Sequence, residues 1–373
     1  MAEKTSSSSL KRFFTTRWGP IATGAVIGIL APLLVYWGNP GNMGICVACF
    51  ERDIAGALGL HQAGVVQYIR PEIIGILLGA LVAGLSFREF KPRAGSAPLI
   101  RFLLGFFAMV GALVFLGCPW RAYLRLAGGD LNALFGILGL IIGIGVGVVF
   151  LRTGFSLGRA RPTSKAVGLV MPVVMVVLLV LLLVAPLFGR DADGNAVGPI
   201  FFSESGPGSQ HAFWVIALAV GLAIGFLAQR SRFCTVGAIR DVALMRDPHL
   251  LYGVITLIVF AIATNLILGQ FTLGINDQPV AHTSQWWNVL GMVLAGLAFT
   301  LSGGCPGRHL IMSGEGNADS SLFVIGMITG AGFAHQFSTA SSPGGPGAFG
   351  PLAVGIGLAV CVVIGLTMRQ KTA

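Results

Sequence analysis

Long apolar stretches separated by short polar ones dominate the chain. Runs of about 20 mainly apolar residues, the length a helix needs to cross a bilayer, recur at roughly 20–38, 72–87, 99–117, 131–151, 166–188, 212–228, 250–269, 285–303, 320–337 and 350–368. The pattern predicts ten membrane spans, the shortest of them tilted or partial. Two other segments differ in kind: "GNMGICVACFERD" at 41–53 and "SRFCTVGAIRDVALMRD" at 231–247. Both are too short and too polar to span. Irregular backbone at membrane depth is tolerated only where protein or a water-filled cavity covers it, so both are predicted to re-enter as half-membrane helices.

Composition supports this reading. Of 373 residues, 55% are apolar and only 10% charged, against roughly 25% charged in a soluble domain; too few charges exist to cover a soluble surface. The net charge of +10 does not gather on one polar face, so no nucleic-acid partner is expected. The basic residues sit between apolar runs, as orientation signals do. Lys4, Lys11, Arg12 and Arg17 precede the first run, as in a signal peptide, but that run continues through Leu33, Leu34 and Tyr36 without a small-residue cleavage site. It is predicted to stay as an uncleaved first span. With the N-terminus in the cytoplasm, all of the 24 Lys and Arg fall on the cytoplasmic side except Arg52, Arg70, Arg121, Arg125 and Arg190. The positive-inside rule therefore predicts a multi-pass protein of the cytoplasmic membrane with both termini cytoplasmic.

The chain also repeats itself. "ICVACFERD" (45–53) lies over "FCTVGAIRD" (233–241), giving C-x5-R-D twice, and "GCPWR" (117–121) lies over "GCPGR" (304–308). The two separations differ by a single residue. Each copy holds five predicted spans, an odd number, so the second enters the membrane upside down, as inverted-repeat transporters do. The predicted fold is an all-α integral membrane protein, an inverted tandem repeat of about five spans each with re-entrant half-helices. Its parts are a cytoplasmic tail (1–19), a first repeat (20–188), an external linker (189–211) and a second repeat (212–368).

The repeated motifs carry the candidate chemistry. Proline is at home in the first helical position, where its missing N–H costs nothing. This puts Cys118 and Cys305 at N-caps, with Gly117 and Gly304 turning the chain. A helix N-terminus presents unpaired N–H groups and about half a positive charge, and so attracts anions. Arg121 and Arg308 follow one turn later on the same face, able to pair with a carboxylate such as Asp130 or Asp319 or with a passing anion. Cys46 and Cys234 occupy matching repeat positions. Cys46, Cys118, Cys234 and Cys305, with Arg121 and Arg308, are therefore the candidate path residues. Cys49 forms C-x-x-C with Cys46, a redox pair or half of a zinc site; no second such pair is present, and no metal or cofactor is expected. Arg52–Asp53 and Arg240–Asp241 read as internal ion pairs pinning the half-helices, with Arg52 and Arg240 as secondary path candidates. His61, His211, His249 and His282 read as loop or interface residues, His335 as a pore candidate and Cys361 as a small buried hydrophobe. No phosphate-binding G-x-x-x-x-G-K-[ST] loop occurs.

"RFCTVGAIRD", "SGGCPGR" and "FLGCPWR" resemble the YeeE/YedE membrane proteins across essentially the whole chain. "NMGICVACFERDIAGALG", "VVQYIRPEIIG", "RLAGGDLNALFG" and "SGEGNADSS" are similar to the YedE branch, which is associated with selenium transport. The resemblance implies uptake of a small sulfur- or selenium-containing species. In thiosulfate-importing relatives the solute passes along central cysteines by S–H···S contacts. The positions matching here are Cys118, Cys234 and Cys305, with Cys46 at the repeat position of Cys234. The resemblance also implies a cytosolic sulfur carrier of the TusA type as partner. Thiosulfate-type relatives often lack the Pro and Arg that follow Cys118 and Cys305 here. The function expected is transport and not catalysis; the alternative is a membrane thiol oxidoreductase or sulfurtransferase built on Cys46 and Cys49.

Overall fold

A computed structural model of the chain describes residues 13–185 and 200–369. Most of the predicted tail (1–12), the last residues of the fifth predicted span (186–188) and the first part of the linker (189–199, with Arg190) lie outside the described residues.

Among the described residues, fourteen α-helices from Trp18 onward follow one another as two groups of seven. The first holds α1 (Trp18–Tyr36), α2 (Val47–Ala57), α3 (Pro71–Ser86), α4 (Pro98–Phe115), α5 (Pro119–Ala127), α6 (Asn132–Arg152) and α7 (Lys165–Val184). The second holds α8 (Trp214–Ser231), α9 (Thr235–Met245), α10 (His249–Ile267), α11 (Gln285–Ser302), α12 (Pro306–Gly314), α13 (Ala318–Gln336) and α14 (Gly350–Thr367). Long and short helices alternate in the same order in both groups. Two short strands, β1 (Arg93–Ala94) and β2 (Arg161–Pro162), pair antiparallel in the connections.

Every predicted span is a helix, but not every one is long and apolar enough to cross a membrane by itself. Among the described residues eight stretches are, and in three of them (Pro98–Ala127, Trp214–Met245 and Gln285–Gly314) a long helix runs on into a half-helix. The chain is thus a multi-pass membrane protein. Helix α3, at 16 residues, reaches about 24 Å at 1.5 Å per residue, short of a hydrocarbon core of roughly 30 Å. Helix α13 opens with Asp319, Ser320 and Ser321. Both lie inside the bundle: α3 between α7, α8 and α12, and α13 against α2, α4 and α12. Helices covered by protein need neither full length nor an apolar surface. The lipid-facing role falls to helices such as α7, whose Val170, Val173 and Val177 are exposed.

Close packing between the groups depends on glycine. At the α3–α8 crossing a Cβ on Gly79 would fall 2.2 Å from the Leu222 carbonyl oxygen, and one on Gly225 would fall 2.0 Å from that of Ile76. At the α1–α10 crossing a Cβ on Gly24 would fall 2.0 Å from the Gly253 oxygen. Backbones meet directly, the mode small residues permit in membrane helices.

Cys118 and Cys305 take the predicted N-cap positions, and Cys46 and Cys234, for which no cap was predicted, do likewise. Cys46, Cys118, Cys234 and Cys305 are the N-caps of α2, α5, α9 and α12, and Pro119 and Pro306 stand at the first helical positions of α5 and α12. The turn itself is placed differently from the prediction. Left-handed backbone falls one residue earlier than Gly117 and Gly304, at Leu116 (φ 64°) and Gly303 (φ 102°), which end α4 and α11. A leucine there costs about 1–2 kcal/mol, offset by the bond that its carbonyl accepts from Arg121.

Candidate functional site

The capping cysteines meet in two pairs. Cys46 Sγ lies 3.8 Å from Cys118 Sγ, and Cys46 Sγ accepts the Cys49 N–H at 3.3 Å. In the other group the Cys305 N–H points at Cys234 Sγ at 3.5 Å. Each sulfur there also caps its own helix: Cys234 accepts from Gly237 N–H at 3.2 Å and Cys305 from Arg308 N–H at 3.4 Å. All four thiols are free and buried, the most accessible being Cys234 at 5% exposure. At Cys46, Cys234 and Cys305 the sulfur also caps its own helix, so the turn that starts the half-helix aims its thiol; Cys118 stands at the N-cap position without a side-chain cap bond.

Helix α5 links the pairs. Trp120, two residues beyond Cys118, packs edge-on against Phe233, with ring centroids 5.9 Å apart, and Phe233 immediately precedes Cys234. Trp120 also covers Gly307, two residues beyond Cys305, where a Cβ would fall 2.7 Å from its Cζ2. Trp120 thus stands at the crossing between one thiol pair and the other.

The arginines are held differently from what the spacing suggested. Arg121 does not pair with Asp130; that carboxylate is taken by Arg125 at 2.6 Å, one turn further along α5. Arg121 instead donates to the carbonyls of Asn42 (3.2 Å), Val280 (3.0 Å) and Leu116, and to Cys49 Sγ at 3.4 Å. No carboxylate pairs with it among the described residues. Arg308 does not pair with Asp319, whose oxygens accept the N–H groups of Gly95 and Ser96; it meets Glu315 at 3.4 Å. Glu315 also takes Arg232 at 2.8 Å, and Glu89 binds Arg230 and Arg232 at 2.9 Å each. This basic cluster rims the end of the bundle near Cys234 and Cys305. Glu89 itself lies in the connection after α3. Its partial burial opposes ionisation, but the Gln229 amide and the Arg230 and Arg232 guanidiniums outweigh that and hold its carboxyl below the ordinary range.

The secondary candidates sit in the expected ion pairs: Arg52–Asp53 at 2.6 Å and Arg240–Asp241 at 2.8 Å. Asp53 is shared, since Arg70 binds its other oxygen at 2.7 Å. Arg52 also lines a cavity of about 320 Å³ between the loops at the opposite end, together with His335, and the cavity reaches Leu116, two residues before Cys118. His335 meets His61 ring to ring, tilted, with centroids 4.5 Å apart. His61 and His282 are buried anchors. Their Nε2 atoms meet the carbonyls of Arg52 (3.1 Å) and Val114 (2.8 Å). Cys361 is buried in α14. Among the described residues no three His, Cys, Asp or Glu side chains gather as a metal site needs.

Three buried groups were not singled out by sequence reasoning. His309 on α12 stacks on Phe323 at 3.9 Å. Glu51 on α2 is fully buried with both oxygens unpartnered, and the Trp120 indole N–H likewise has no acceptor among the described residues. The signal for Trp120 was present in the repeat, where Trp in GCPWR stands against Gly in GCPGR.

Paired cysteines on short helices among long apolar helices belong to a multi-pass membrane protein. A family model described as sulphur transport matches residues 1–118 and 230–366, and the chain belongs to that family. It is 27% identical over 99 residues to the thiosulfate transporter TsuA of Escherichia coli (strain K12), covering 26% of this chain and 28% of that protein. It is 33% identical over 104 residues to the thiosulfate transporter TsuA of Spirochaeta thermophila, covering 26% of this chain and 29% of that protein. Each alignment thus spans under a third of the relative's length.

Proposed function

We propose that the protein imports a small sulfur- or selenium-containing anion, thiosulfate-like in chemistry, across the cytoplasmic membrane. The solute moves between Cys46–Cys118 and Cys234–Cys305. The single observation that carries this reading is the meeting of four helix-capping thiols in two buried pairs, one from each half of the chain. Soft sulfur prefers soft sulfur or selenium partners, and helix N-termini favour negative charge.

In this reading the two groups of seven helices are inverted copies, so one thiol pair is approached from outside and the other from the cytoplasm. The cavity with Arg52 and His335 receives the anion externally. Arg121 supplies fixed positive charge beside the first pair. The cluster of Arg232, Arg240 and Arg308 forms the cytoplasmic mouth, where a TusA-like sulfur carrier takes the solute. With every thiol buried, the conformation is occluded, and crossing requires the half-helices to move.

The test is uptake of labelled thiosulfate, selenite and selenide by cells carrying the wild-type protein or Cys305→Ala. The wild type accumulates at least one of the three and the variant does not. Equal accumulation by both would end the thiol-path reading.

A further inference from the structure

We propose that Trp120 is a solute-binding gate between the two thiol pairs, its indole N–H and the first turn of α12 together holding the anionic end of the solute in transit. The inference rests on the transport reading above and adds a residue and a donor to it.

Trp120 is fully buried, and its Nε1 has no acceptor among the described residues. A buried donor without a partner is rare, because it forfeits hydration for nothing in return. The location of this donor gives it a use. A Cβ on Gly307 would fall 2.9 Å from Cε2 and 3.3 Å from Nε1 of the indole, so the N–H edge lies over the second residue of α12. There Pro306 has no N–H, the Arg308 N–H is taken by Cys305 Sγ, and the Gly307 N–H has no partner inside its own helix. A side-chain donor placed against a helix N-terminus is a repulsive arrangement when empty and a convergent one when an anion lies between.

The same contact explains why the two copies of the motif differ at this position. Trp120 and Gly307 are matched residues in GCPWR and GCPGR, and the indole occupies the room the missing side chain leaves. With Phe233 in T-shaped contact with it as well, the ring blocks the way from Cys118 to Cys305. It must swing aside or accept the solute at its N–H edge for transfer to proceed.

Purified protein in liposomes, assayed for uptake of labelled thiosulfate, separates the ring from its N–H. Trp120→Phe keeps an aromatic plug and removes the donor, so KM for thiosulfate rises about fivefold or more while the maximal rate stays within about twofold. Trp120→Ala removes the plug, so labelled sulfate, excluded by the wild type, enters alongside thiosulfate. Gly307→Ala drives a methyl into the indole and slows uptake at all concentrations. A Trp120→Phe protein with wild-type KM would overturn the binding role, and exclusion of sulfate by Trp120→Ala would overturn the gate. Both results stay informative while Cys305→Ala abolishes uptake, since the thiol path then stands without Trp120. A wild-type protein that moves no thiosulfate would overturn the gate together with the reading it rests on.

Discussion

Cys46 and Cys118, 72 residues apart in sequence, bring their sulfur atoms to 3.8 Å. Each cysteine occupies the N-cap position of a half-helix, and the Cys46 sulfur also makes the cap bond, so a substitution can be chosen that keeps a good N-cap residue and removes the sulfur. Serine is such a choice, being among the best N-caps while lacking a soft, polarisable atom. Cys46→Ser and Cys118→Ser are expected to fold and to lose uptake by about tenfold or more, equivalent to raising the crossing barrier by roughly 1.4 kcal/mol. Cys49→Ala, which removes a thiol bonded to Arg121 but not one of the paired sulfurs, lowers uptake by only about two- to threefold. Rate measurements on matched membrane preparations check the order; a dithiol enzyme built on Cys46 and Cys49 would reverse it.

Arg121 ties three segments of backbone together through Asn42, Leu116 and Val280. Lysine keeps the charge but replaces a fork of donors with a single point. Arg121→Lys should therefore destabilise the protein by about 2–4 kcal/mol, since each buried carbonyl left unbonded costs about 1–3 kcal/mol. Thermal unfolding in detergent measures this, and an unchanged midpoint would show that the carbonyls find other partners.

The α3–α8 crossing leaves no room for a side chain at Gly79 or Gly225. Gly79→Val is expected to prevent a stable, monodisperse protein, because the obstructing atom is a backbone oxygen that cannot rotate away. Val173→Ala on the exposed face of α7 should be tolerated. Size-exclusion profiles of the two variants decide the matter.

Acid weakens the charged cluster at the end of the bundle near Cys234 and Cys305. The Glu89 carboxyl titrates below the ordinary range, which is near 4.3 in an unfolded chain. Its contribution to stability is thus complete above that value and disappears as pH falls through the lower, folded value. Glu89→Gln should melt roughly 2 °C below the wild type at pH 7, a surface-network effect, and the gap should close as pH falls through the folded value. A gap independent of pH would mean that ionisation of Glu89 is not what holds the cluster.

Much of this architecture is legible in the residues. Apolar runs of spanning length mark the long helices, and Gly-Cys-Pro marks the starts of α5 and α12 because proline tolerates few other helical positions. The C-x5-R-D repeat locates α2 and α9, and both of its ion pairs form. What sequence could not supply is partner choice. Arg121 and Arg125 stand one turn apart on α5, and nothing local tells which of them reaches Asp130. Likewise His61 and His282 sit in polar loops by composition, yet those loops fold back into the bundle and bury them against distant carbonyls. Trp120 needed the structure for a related reason: its unpartnered N–H is a property of its surroundings in space, not of its neighbours in the chain.

Two guanidinium groups share the single carboxylate of Asp53. On the transport reading, the Arg52 guanidinium makes the external cavity it lines hospitable to a dianion. It does no net electrical work. Carrying each negative charge into a cell held at −100 mV costs about 2.3 kcal/mol whatever residues line the route, and a dianion costs about twice that. Accumulation must therefore be driven at the ends of the journey, by co-entry of cations or by rapid chemical consumption of the solute once inside.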